Sequence, residues 1–491
     1  MRNKIFFILT ILLSQYLMGQ TTDIITSKKY KNAIEKAEFL ITEHKKQLDV
    51  PGVQVAVMID GKLIWSKGFG FKDLVNKLPV TRNTKFQVAS ISKSITSIAL
   101  GKLIQEGKID IDADIRTYLP EFPEKKYPIT ARQLASNTAG IRHYTDDDPI
   151  FNTKQYNDVI ESLEIFKKDS LEFKPGSKYA YSSYGWVLLS AVIQKIAKQS
   201  FSDYMHNTWK DLEMNNTTFD WPNKPIPNLT KLYGKRSKEL GRRVDFPFDN
   251  RSYMYAGGGY VSTAEDLAKM GWKLISNEYL KPSIKNILFT PYITSEGENV
   301  YYGLGWKVSK NRYGVKYAYH GGTMGSTRSH LVMYPEHGIV FAYLANTGSS
   351  IIFNRNEAHT IAEAFYIEKK RINKIRRVDS DIFGKWKFKT TTMKGEERTG
   401  VLEVYRDNKQ IKATMFYDRK DGKKYTFPLL LFEKKKDVYH FMAVRYMMQD
   451  YYFTIDGNSL KGKWFLDTNV NDAKKYKQGQ PQEFKGTRIT E

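Results

Sequence analysis

The chain has 491 residues, of which 41% are hydrophobic and 14% aromatic, and it carries 77 Lys and Arg against 53 Asp and Glu, a formal net charge of +24. This length predicts two or three domains, and the apolar content excludes an intrinsically disordered chain. The charge is diffuse and accompanies no zinc-ligand pattern, RNP-like motif or basic zipper, so we expect no nucleic-acid partner, while peripheral association with anionic surfaces fits the surplus.

The N-terminus has the pattern of an export signal. Arg2 and Lys4 precede an apolar run at residues 5–13, which is too short to span a bilayer comfortably. We therefore expect a signal peptide over residues 1–20 and a periplasmic or secreted protein, with an uncleaved membrane anchor as the alternative. The chain has no cysteine, so disulfides, a lipoprotein attachment site and a cysteine nucleophile are excluded.

A β-hairpin and a helix are the first predicted elements. Residues 52–59 and 63–68 flank Asp60-Gly61, a dipeptide typical of two-residue turns, and predict an edge hairpin. A helix from about Ser90 to Glu106 follows, because apolar residues recur there at spacings of three and four. These residues are Ile95, Ile98, Ala99, Leu103 and Ile104.

A helical middle region is predicted to interrupt one antiparallel sheet. Residues 130–133 and 262–265 have the pattern of capping boxes that start helices. A last helix at about 356–368 would cover the sheet. The later strands of the sheet are predicted at 304–309, 315–320, 329–334 and 339–344. The expected fold class is α/β of the α+β type, an antiparallel sheet flanked by helices with a helical subdomain, over residues 21–368.

The texture of the sequence changes after a basic linker at residues 369–380. Eight short alternating segments with turn signals between them predict a small closed all-β barrel over residues 381–491. Such a barrel could bind a ligand, gate a site or pack against the first domain. The predicted strands are 384–389, 400–405, 410–416, 425–432, 438–446, 451–455, 460–465 and 483–489.

The run from Phe86 to Thr96 carries the strongest chemical signal. Ser90 stands three residues before Lys93, so both side chains lie on one face of the predicted helix. A serine hydroxyl is a weak nucleophile until a base removes its proton, and an unprotonated lysine one turn away can be that base. Ser90 is the only serine of the chain with lysine at the third following position. The alternative to this S-x-x-K pattern is an ordinary core helix with an exposed polar start.

Two further patterns lie downstream in the order that such chemistry requires. Tyr181 and Ser183 form Y-x-S on a loop at the start of an apolar helical run. His320 and Gly322 form H-x-G at the end of a predicted strand. Each is ordinarily structural when it occurs alone. The ordered set of S-x-x-K, Y-x-S and H-x-G is far less frequent by chance.

With these motifs the chain resembles the serine β-lactamase-related family, which includes class C β-lactamases, D-Ala-D-Ala carboxypeptidases and esterases. Within that family it is most similar to the branch of mitochondrial serine β-lactamase-like proteins. The resemblance covers about residues 30–368 and is carried by the stretches 88–94, 118–125, 140–144, 173–177 and 256–263. It implies a β-lactamase/transpeptidase-like fold and a serine hydrolase that uses no cofactor and no metal.

The resemblance also implies a role for each matching catalytic residue. Ser90 would be the acylated nucleophile, Lys93 its base and Tyr181 a proton relay to the leaving group. His320 would be the counterpart of the lysine in the K-T-G motif of the family. Backbone N–H groups of Ser90 and Thr323 would form the oxyanion hole.

Ser183, Gly322 and Thr323 are expected to bind substrate, and the chain departs from the family pattern at two positions. Ser183 replaces the usual asparagine of Y-x-N, whose amide contacts the acyl side chain. His320 replaces a lysine and is only partly charged near neutrality. Both changes weaken recognition of an acyl-amide that bears a carboxylate, as β-lactams do. We therefore expect an exported peptidase or esterase that acts on a small-molecule or peptide substrate through an acyl-enzyme.

Other functions stay open at this point. One is a true β-lactamase. Another is a non-catalytic binding or scaffold protein, although such a protein would not need Ser90, Lys93 and Tyr181. A metal enzyme is disfavoured because the 8 His are scattered and H-E-x-x-H is absent. His143 with the three aspartates at 146–148 could hold a cation, but a solvated loop is the preferred interpretation.

Overall fold

A computed structural model describes residues 24–145, 148, 154–222, 224–236, 243–245, 250–325, 327–347, 357–370, 378–392, 395–407, 410–418, 424–444, 448–466 and 481–490. The predicted signal peptide and residues 371–377 of the predicted linker lie outside this part of the chain. The chain divides into two compact units. Of the described residues, those within 24–28, 51–308 and 318–347 form the first unit, and those within 29–50, 309–317 and 357–490 form the second.

Helices and strands are numbered here in chain order. The α-helices of the described part are α1 (Lys31–Gln47), α2 (Ile91–Gln105), α3 (Ala131–Ala135), α4 (Ser183–Ala197), α5 (Phe201–Asp211), α6 (Tyr255–Gly258), α7 (Ala264–Ile275), α8 (Pro282–Phe289) and α9 (Glu357–Lys370). The strands before α9 are β1 (Ile25–Thr26), β2 (Gly52–Ile59), β3 (Lys62–Asp73), β4 (Leu78–Pro79), β5 (Phe86–Gln87), β6 (Thr218–Phe219), β7 (Tyr233–Arg236), β8 (Arg243–Asp245), β9 (Tyr260–Ser262), β10 (Lys307–Lys310), β11 (Lys316–Met324), β12 (Thr327–Tyr334) and β13 (Ile339–Ala345). Each helix in this part of the chain is too short or too polar to span a lipid bilayer.

An antiparallel sheet runs through the first unit, as predicted. Its strand order is β1-β3-β2-β13-β12-β11-β10, and β4 pairs with β3. Strands from the two ends of this sequence region therefore meet in one sheet, and most of the helices come from the chain between them. The mixed architecture confirms the predicted fold class.

The β2–β3 hairpin turns at Asp60-Gly61, where both residues have positive φ, 49° and 77°, as a two-residue type I′ turn requires. Strand β2 joins the hairpin to the sheet by pairing with β13, and the other side of β3 pairs only with the two-residue strands β1 and β4. All eight residues of β2 are buried. The predicted edge hairpin therefore lies at one side of the sheet with two short strands beyond it, and the nearly continuous apolar run of β2 is the pattern of a buried inner strand.

Capping side chains fix where two of the helices begin. Thr130 and Gln133 form the predicted capping box of α3. At α7 the N-cap is Thr263, whose hydroxyl accepts a hydrogen bond from the Asp266 N–H at 3.2 Å. The predicted start at Ser262 is one residue early, because Ser262 belongs to β9 and pairs there with β5.

Helix α2 carries the S-x-x-K pattern and is enclosed on almost every side, since residues 91–101 are all buried. Its hydroxyl groups meet backbone groups from distant segments. The Ser94 hydroxyl donates to Gly305 O at 2.7 Å, and the Tyr260 N–H donates to Ser92 Oγ at 3.2 Å. The polar positions of this helix are thus satisfied inside the protein.

The second unit contains a closed antiparallel barrel, which confirms the predicted all-β element. Its strands are β14 (Gly384–Thr391), β15 (Glu397–Asp407), β16 (Gln410–Asp418), β17 (Lys424–Lys435), β18 (Val438–Val444), β19 (Met448–Asp456), β20 (Ser459–Leu466) and β21 (Gln482–Arg488). They pair in chain order, and β14 closes the barrel by pairing with β21. Aromatic side chains such as Trp386, Phe441 and Phe453 fill the interior.

Helices α1 and α9 belong to the second unit, which differs from the predicted domain boundaries of 21–368, 369–380 and 381–491. The Ala33 N–H of α1 donates to Glu368 Oε2 of α9 at 2.5 Å, and Lys36 Nζ of α1 donates to Phe432 O of β17 at 2.5 Å. Both contacts join residues more than 300 positions apart. Domain boundaries predicted from local composition do not take account of such contacts between distant residues.

Candidate active site

The segment before α2 holds Ser90 in a constrained backbone. The Val88 N–H donates to Tyr260 O at 2.9 Å, beside the short β5–β9 pairing. Ala89 then adopts a left-handed φ of 47°, a conformation that costs an alanine free energy and persists where surrounding structure imposes it. Ser90 follows as the N-cap of α2 and is partly exposed. Its hydroxyl therefore stands at the positive end of a buried helix.

Lys93 lies one turn into α2 and is fully buried. Its Nζ lies 2.5 Å from Gly257 O, 3.0 Å from Ser183 Oγ and 3.4 Å from Ser90 Oγ. A neutral amine has two N–H bonds and one lone pair. Donation to Gly257 O and Ser183 Oγ uses both N–H bonds, which leaves the lone pair for the Ser90 hydroxyl.

The electrostatic environment favours that neutral amine. Burial lowers the pKa of Lys93 to about 7, because the charged form loses its hydration. Among the described residues no carboxylate forms an ion pair with Lys93, so nothing there opposes the shift. A large fraction of Lys93 is therefore unprotonated at neutral pH and can accept a proton.

Tyr181 lies directly before α4, on the loop where the sequence predicts it. Its ring centroid is 4.8 Å from Lys93 Nζ. Burial raises the pKa of Tyr181 far above its usual value, and a hydrogen bond between its hydroxyl and Ser90 opposes this shift only in part. The phenol consequently stays protonated, and it touches both the serine and the lysine.

His320 lies on β11 and is buried, with 2% of its surface exposed. Its Nδ1 is 2.8 Å from Gly321 O and its Nε2 is 2.8 Å from the Tyr302 hydroxyl. Burial lowers the pKa of His320 well below its usual value, and nearby Lys307 and Lys93 add to the effect. The ring is thus neutral, with Nδ1 donating to the carbonyl and Nε2 accepting from Tyr302.

Gly322 brings β11 against the segment that precedes Ser90. A Cβ at this position would lie 2.2 Å from Val88 O and 2.2 Å from Ser329 Oγ. The Ser329 hydroxyl donates to the same Val88 carbonyl at 2.6 Å, which ties that segment to β12. The next residue, Thr323, is exposed to solvent and lies opposite Arg328 of β12.

His143 is a site residue that the sequence analysis did not assign. The Ser183 N–H, in the first turn of α4, donates to His143 Nδ1 at 3.0 Å, and the His143 ring packs edge-on against Tyr181 with centroids 5.8 Å apart. Burial and the proximity of Lys93 lower the pKa of His143 to about 4. Its proton is therefore on Nε2. The one available signal was its place in the stretch 140–144, which also carries the family resemblance.

Of the described residues of this loop, Thr145 is exposed, and His143, Tyr144 and Asp148 are partly buried. The Asp148 side chain is only 9% exposed and pairs with Arg142 at 2.6 and 2.8 Å. Asp146 and Asp147 lie outside the described residues. Within the described ranges, no cluster of three or more His, Asp or Glu side chains is arranged to hold a metal ion.

Comparison with known proteins agrees with this geometry. The profile of the Beta-lactamase family matches residues 38–365. The human serine beta-lactamase-like protein LACTB, mitochondrial, is 33% identical over 405 residues, which cover 63% of this chain and 73% of the relative.

Two solved structures have a similar fold. The octameric penicillin-binding protein homologue from Pyrococcus abyssi has a TM-score of 0.58 at 22% identity and covers 92% of this chain and 99% of its own. A D-stereospecific amidohydrolase from Streptomyces sp. has a TM-score of 0.54 at 26% identity and covers 65% of this chain and 96% of its own. The chain therefore belongs to the β-lactamase family of serine hydrolases.

Proposed function

We propose that the protein is an exported serine hydrolase that cleaves amide or ester bonds through an acyl-enzyme on Ser90. The observation that carries this proposal is the buried Lys93, whose pKa is lowered to about 7 and whose Nζ lies 3.4 Å from Ser90 Oγ. A buried amine with no carboxylate partner among the described residues is costly to keep, and base catalysis gives it a function.

In the acylation step Ser90 Oγ attacks the substrate carbonyl carbon while the serine proton passes to the Lys93 lone pair. Negative charge then develops on the carbonyl oxygen. The N-terminus of α2 favours that charge, and the backbone N–H groups of Ser90 and Thr323 are the proposed donors to it. Collapse of the intermediate breaks the C–N or C–O bond and leaves an ester on Ser90.

The leaving amine or alcohol must take up a proton as that bond breaks. Tyr181 is protonated and contacts both Ser90 and Lys93. It can therefore donate its own proton to the leaving group and recover one from the Lys93 ammonium. In deacylation water attacks the ester, Lys93 accepts the proton of the water, and Ser90 Oγ regains a proton as the acid departs.

The substrate class that fits best has no carboxylate on the leaving group. The position of the K-T-G lysine is occupied by His320, a neutral ring whose two nitrogens are already bonded to Tyr302 and Gly321. It therefore supplies no charge to a substrate carboxylate. The similar Streptomyces protein is an amidohydrolase, which supports amides as substrates. Because His320 is neutral, we expect turnover of carboxylate-bearing β-lactams to be slow or absent.

Export is proposed from the charged and apolar pattern of residues 1–20. The name of the human relative places that protein in mitochondria, so an organellar import signal is the competing interpretation. Fractionation of the native host, with the mass of the mature N-terminus, separates the two. Material that stays uncleaved in the cytoplasm would contradict export.

Intact-mass analysis after treatment with a fluorophosphonate probe tests the acyl-enzyme. We expect one adduct on the wild type, no adduct on Ser90→Ala, and an adduct on the control Ser92→Ala, whose hydroxyl lies on the same helix but bonds to Tyr260. An adduct that persists on Ser90→Ala would overturn the assignment. Rapid hydrolysis of a chromogenic cephalosporin by the wild type would overturn the proposed substrate class.

A further inference from the structure

The barrel brings together lysines that are far apart in the sequence. On β14 the exposed side chains Lys385, Lys387 and Lys389 alternate with the buried Trp386 and Phe388, so the three lysines project outward on one face. β21 pairs with β14 and β20 pairs with β21. The outward positions of these two strands include Lys485, Lys461 and Lys463, all exposed. We call these six residues the lysine face.

Three of these lysines form a row across the strands. Lys389 lies directly opposite Lys485, and Lys485 lies directly opposite Lys461. Adjacent strands are about 4.8 Å apart, so three like charges fall within about 10 Å at their backbone positions. Like charges placed directly opposite each other destabilise a sheet. The row therefore has a cost within the barrel that a bound anion would remove.

Counter-charges within the face are few. Glu483 is the one carboxylate that the sequences of β14, β20 and β21 contain, and it pairs with Lys485 at 2.9 Å. In the described part of the chain, no carboxylate forms an ion pair with the other five lysines. Two carboxylates lie opposite members of the face, since Glu403 of β15 is opposite Lys385 and Glu483 is opposite Lys463. Lys387, Lys389 and Lys461 have no carboxylate opposite them on the neighbouring strands, so positive charge is in excess there.

We propose that the lysine face is a docking surface for a membrane that contains anionic lipids. The six lysines are spread over three adjacent strands, so they present positive charge over an area, as contact with an anionic bilayer requires. Ile489 continues the outward positions of β21, is 40% exposed, and donates its N–H to Lys385 O at 2.8 Å. An exposed apolar side chain beside lysines fits the boundary between headgroups and acyl chains.

Vesicle co-sedimentation of the full chain tests this surface. We expect binding to phosphatidylcholine vesicles that contain phosphatidylglycerol, little binding to pure phosphatidylcholine, and release as salt shortens the Debye length. The triple substitution Lys389→Gln, Lys461→Gln, Lys485→Gln should weaken binding on the order of 100-fold, since each lysine near an anionic leaflet contributes about fivefold. Any contribution of the N-terminal segment is common to all variants.

The matched control removes the same charge from scattered exposed positions of the first unit, with Lys62→Gln, Lys126→Gln and Lys168→Gln. It should bind like the wild type, and both triple variants should keep the thermal unfolding midpoint and the Ser90 labelling of the wild type. If both triple variants lost vesicle binding equally, net charge alone would explain the loss, and the proposal would be overturned. The proposal would also be overturned if the lysine-face triple variant lost binding to heparin or duplex DNA but still bound vesicles like the wild type. That result would identify an anionic polymer as the ligand of the face.

Discussion

Lys93 shows how one side chain can link catalysis to stability. Its ammonium form would be buried, with Gly257 O and two hydroxyl oxygens as its neighbours. The neutral form satisfies the same neighbours without a desolvated charge. The pH at which Lys93 loses its proton should therefore govern both the reaction rate and part of the folding free energy.

The acylation rate is predicted to follow the titration of Lys93. The neutral amine is the base and its pKa is about 7, so kcat/KM for a p-nitrophenyl ester should rise about tenfold per pH unit below pH 7 and level off above it. An ester with a good leaving group isolates this step. A rate that keeps climbing to pH 10 would mean that Lys93 has an ordinary pKa. Lys93→Ala should lose on the order of 10³ in rate above pH 7, where the wild-type amine is neutral.

Replacement of Lys93 by Met is predicted to stabilise the fold while abolishing activity. The folded pKa of about 7 lies below the ordinary lysine value of 10.5, so the unfolded state binds more protons between these values and wild-type stability rises with pH across that window. The advantage of Lys93→Met should therefore be largest below pH 7, on the order of 1–3 kcal/mol, and should shrink towards pH 10. Urea unfolding at several pH values measures this difference in the free energy of unfolding.

The control is Lys102→Met, on the same helix but partly exposed, which should change the free energy of unfolding by less than about 0.5 kcal/mol. A gain in Lys93→Met that is constant with pH would refute the argument.

At the scale of elements, the site depends on the approach of β11 to the segment before α2. That approach is possible because residue 322 has no side chain. The hydroxyl of Ser329 and the left-handed Ala89 hold the same segment from other directions. The position of the nucleophile is therefore a property of three elements acting together.

Gly322→Ala is predicted to lower acylation on the order of 10²-fold or more. The added Cβ would meet Val88 O at 2.2 Å, so β11 and the Ser90 segment must move apart, and misplacement near 1 Å can cost that much. The control Gly185→Ala has its nearest contact at 3.6 Å and should retain activity. Labelling rate and thermal unfolding measured on the same samples separate a displaced site from an unfolded protein, and full activity in Gly322→Ala would show that the close approach is dispensable.

Most helices and strands could be predicted from the sequence because the residue patterns that indicate them are local. The Asp60-Gly61 turn, the Thr130 capping box and the alternating barrel strands each depend on residues within a few positions of one another. The placement of β2 in the centre of the sheet and the partners of Ser92 and Ser94 depend on segments up to about 290 residues away. His143 was missed for the same reason, since its role is set by Ser183, 40 positions later.

At the scale of the whole molecule, Arg312 connects parts of the second unit that are distant in sequence. Its guanidinium donates to Glu363 Oε2 of α9 at 2.9 Å and to Asp450 Oδ1 of β19 at 2.9 Å. The two carboxylates are 4% and 0% exposed. Burial alone would raise the pKa of Asp450, but Arg312 and His440 lower it to about 2.

Arg312→Met is predicted to destabilise the second unit by about 3–5 kcal/mol, because it leaves two buried carboxylates without their cation. The depressed pKa of Asp450 contributes stability above about pH 4 that is lost as pH falls through about 2. The variant should therefore unfold at a higher pH on acid titration and lose hydrogen-exchange protection in β18 and β19. The control Lys316→Met removes an exposed charge from the same segment and should change little. If the pH midpoint of acid unfolding were the same in Arg312→Met as in the wild type, this network would not contribute to the stability of the second unit.

The closed barrel has a mechanical consequence. Its first and last strands are neighbours, with Trp386 of β14 opposite Arg488 of β21 in an antiparallel pair. The chain therefore enters and leaves the barrel at adjacent points. The same arrangement makes the barrel weak under tension. A force applied across its two ends would load the β14–β21 hydrogen bonds one after another, as in a zipper, and would peel the barrel open at a lower force than shearing would need.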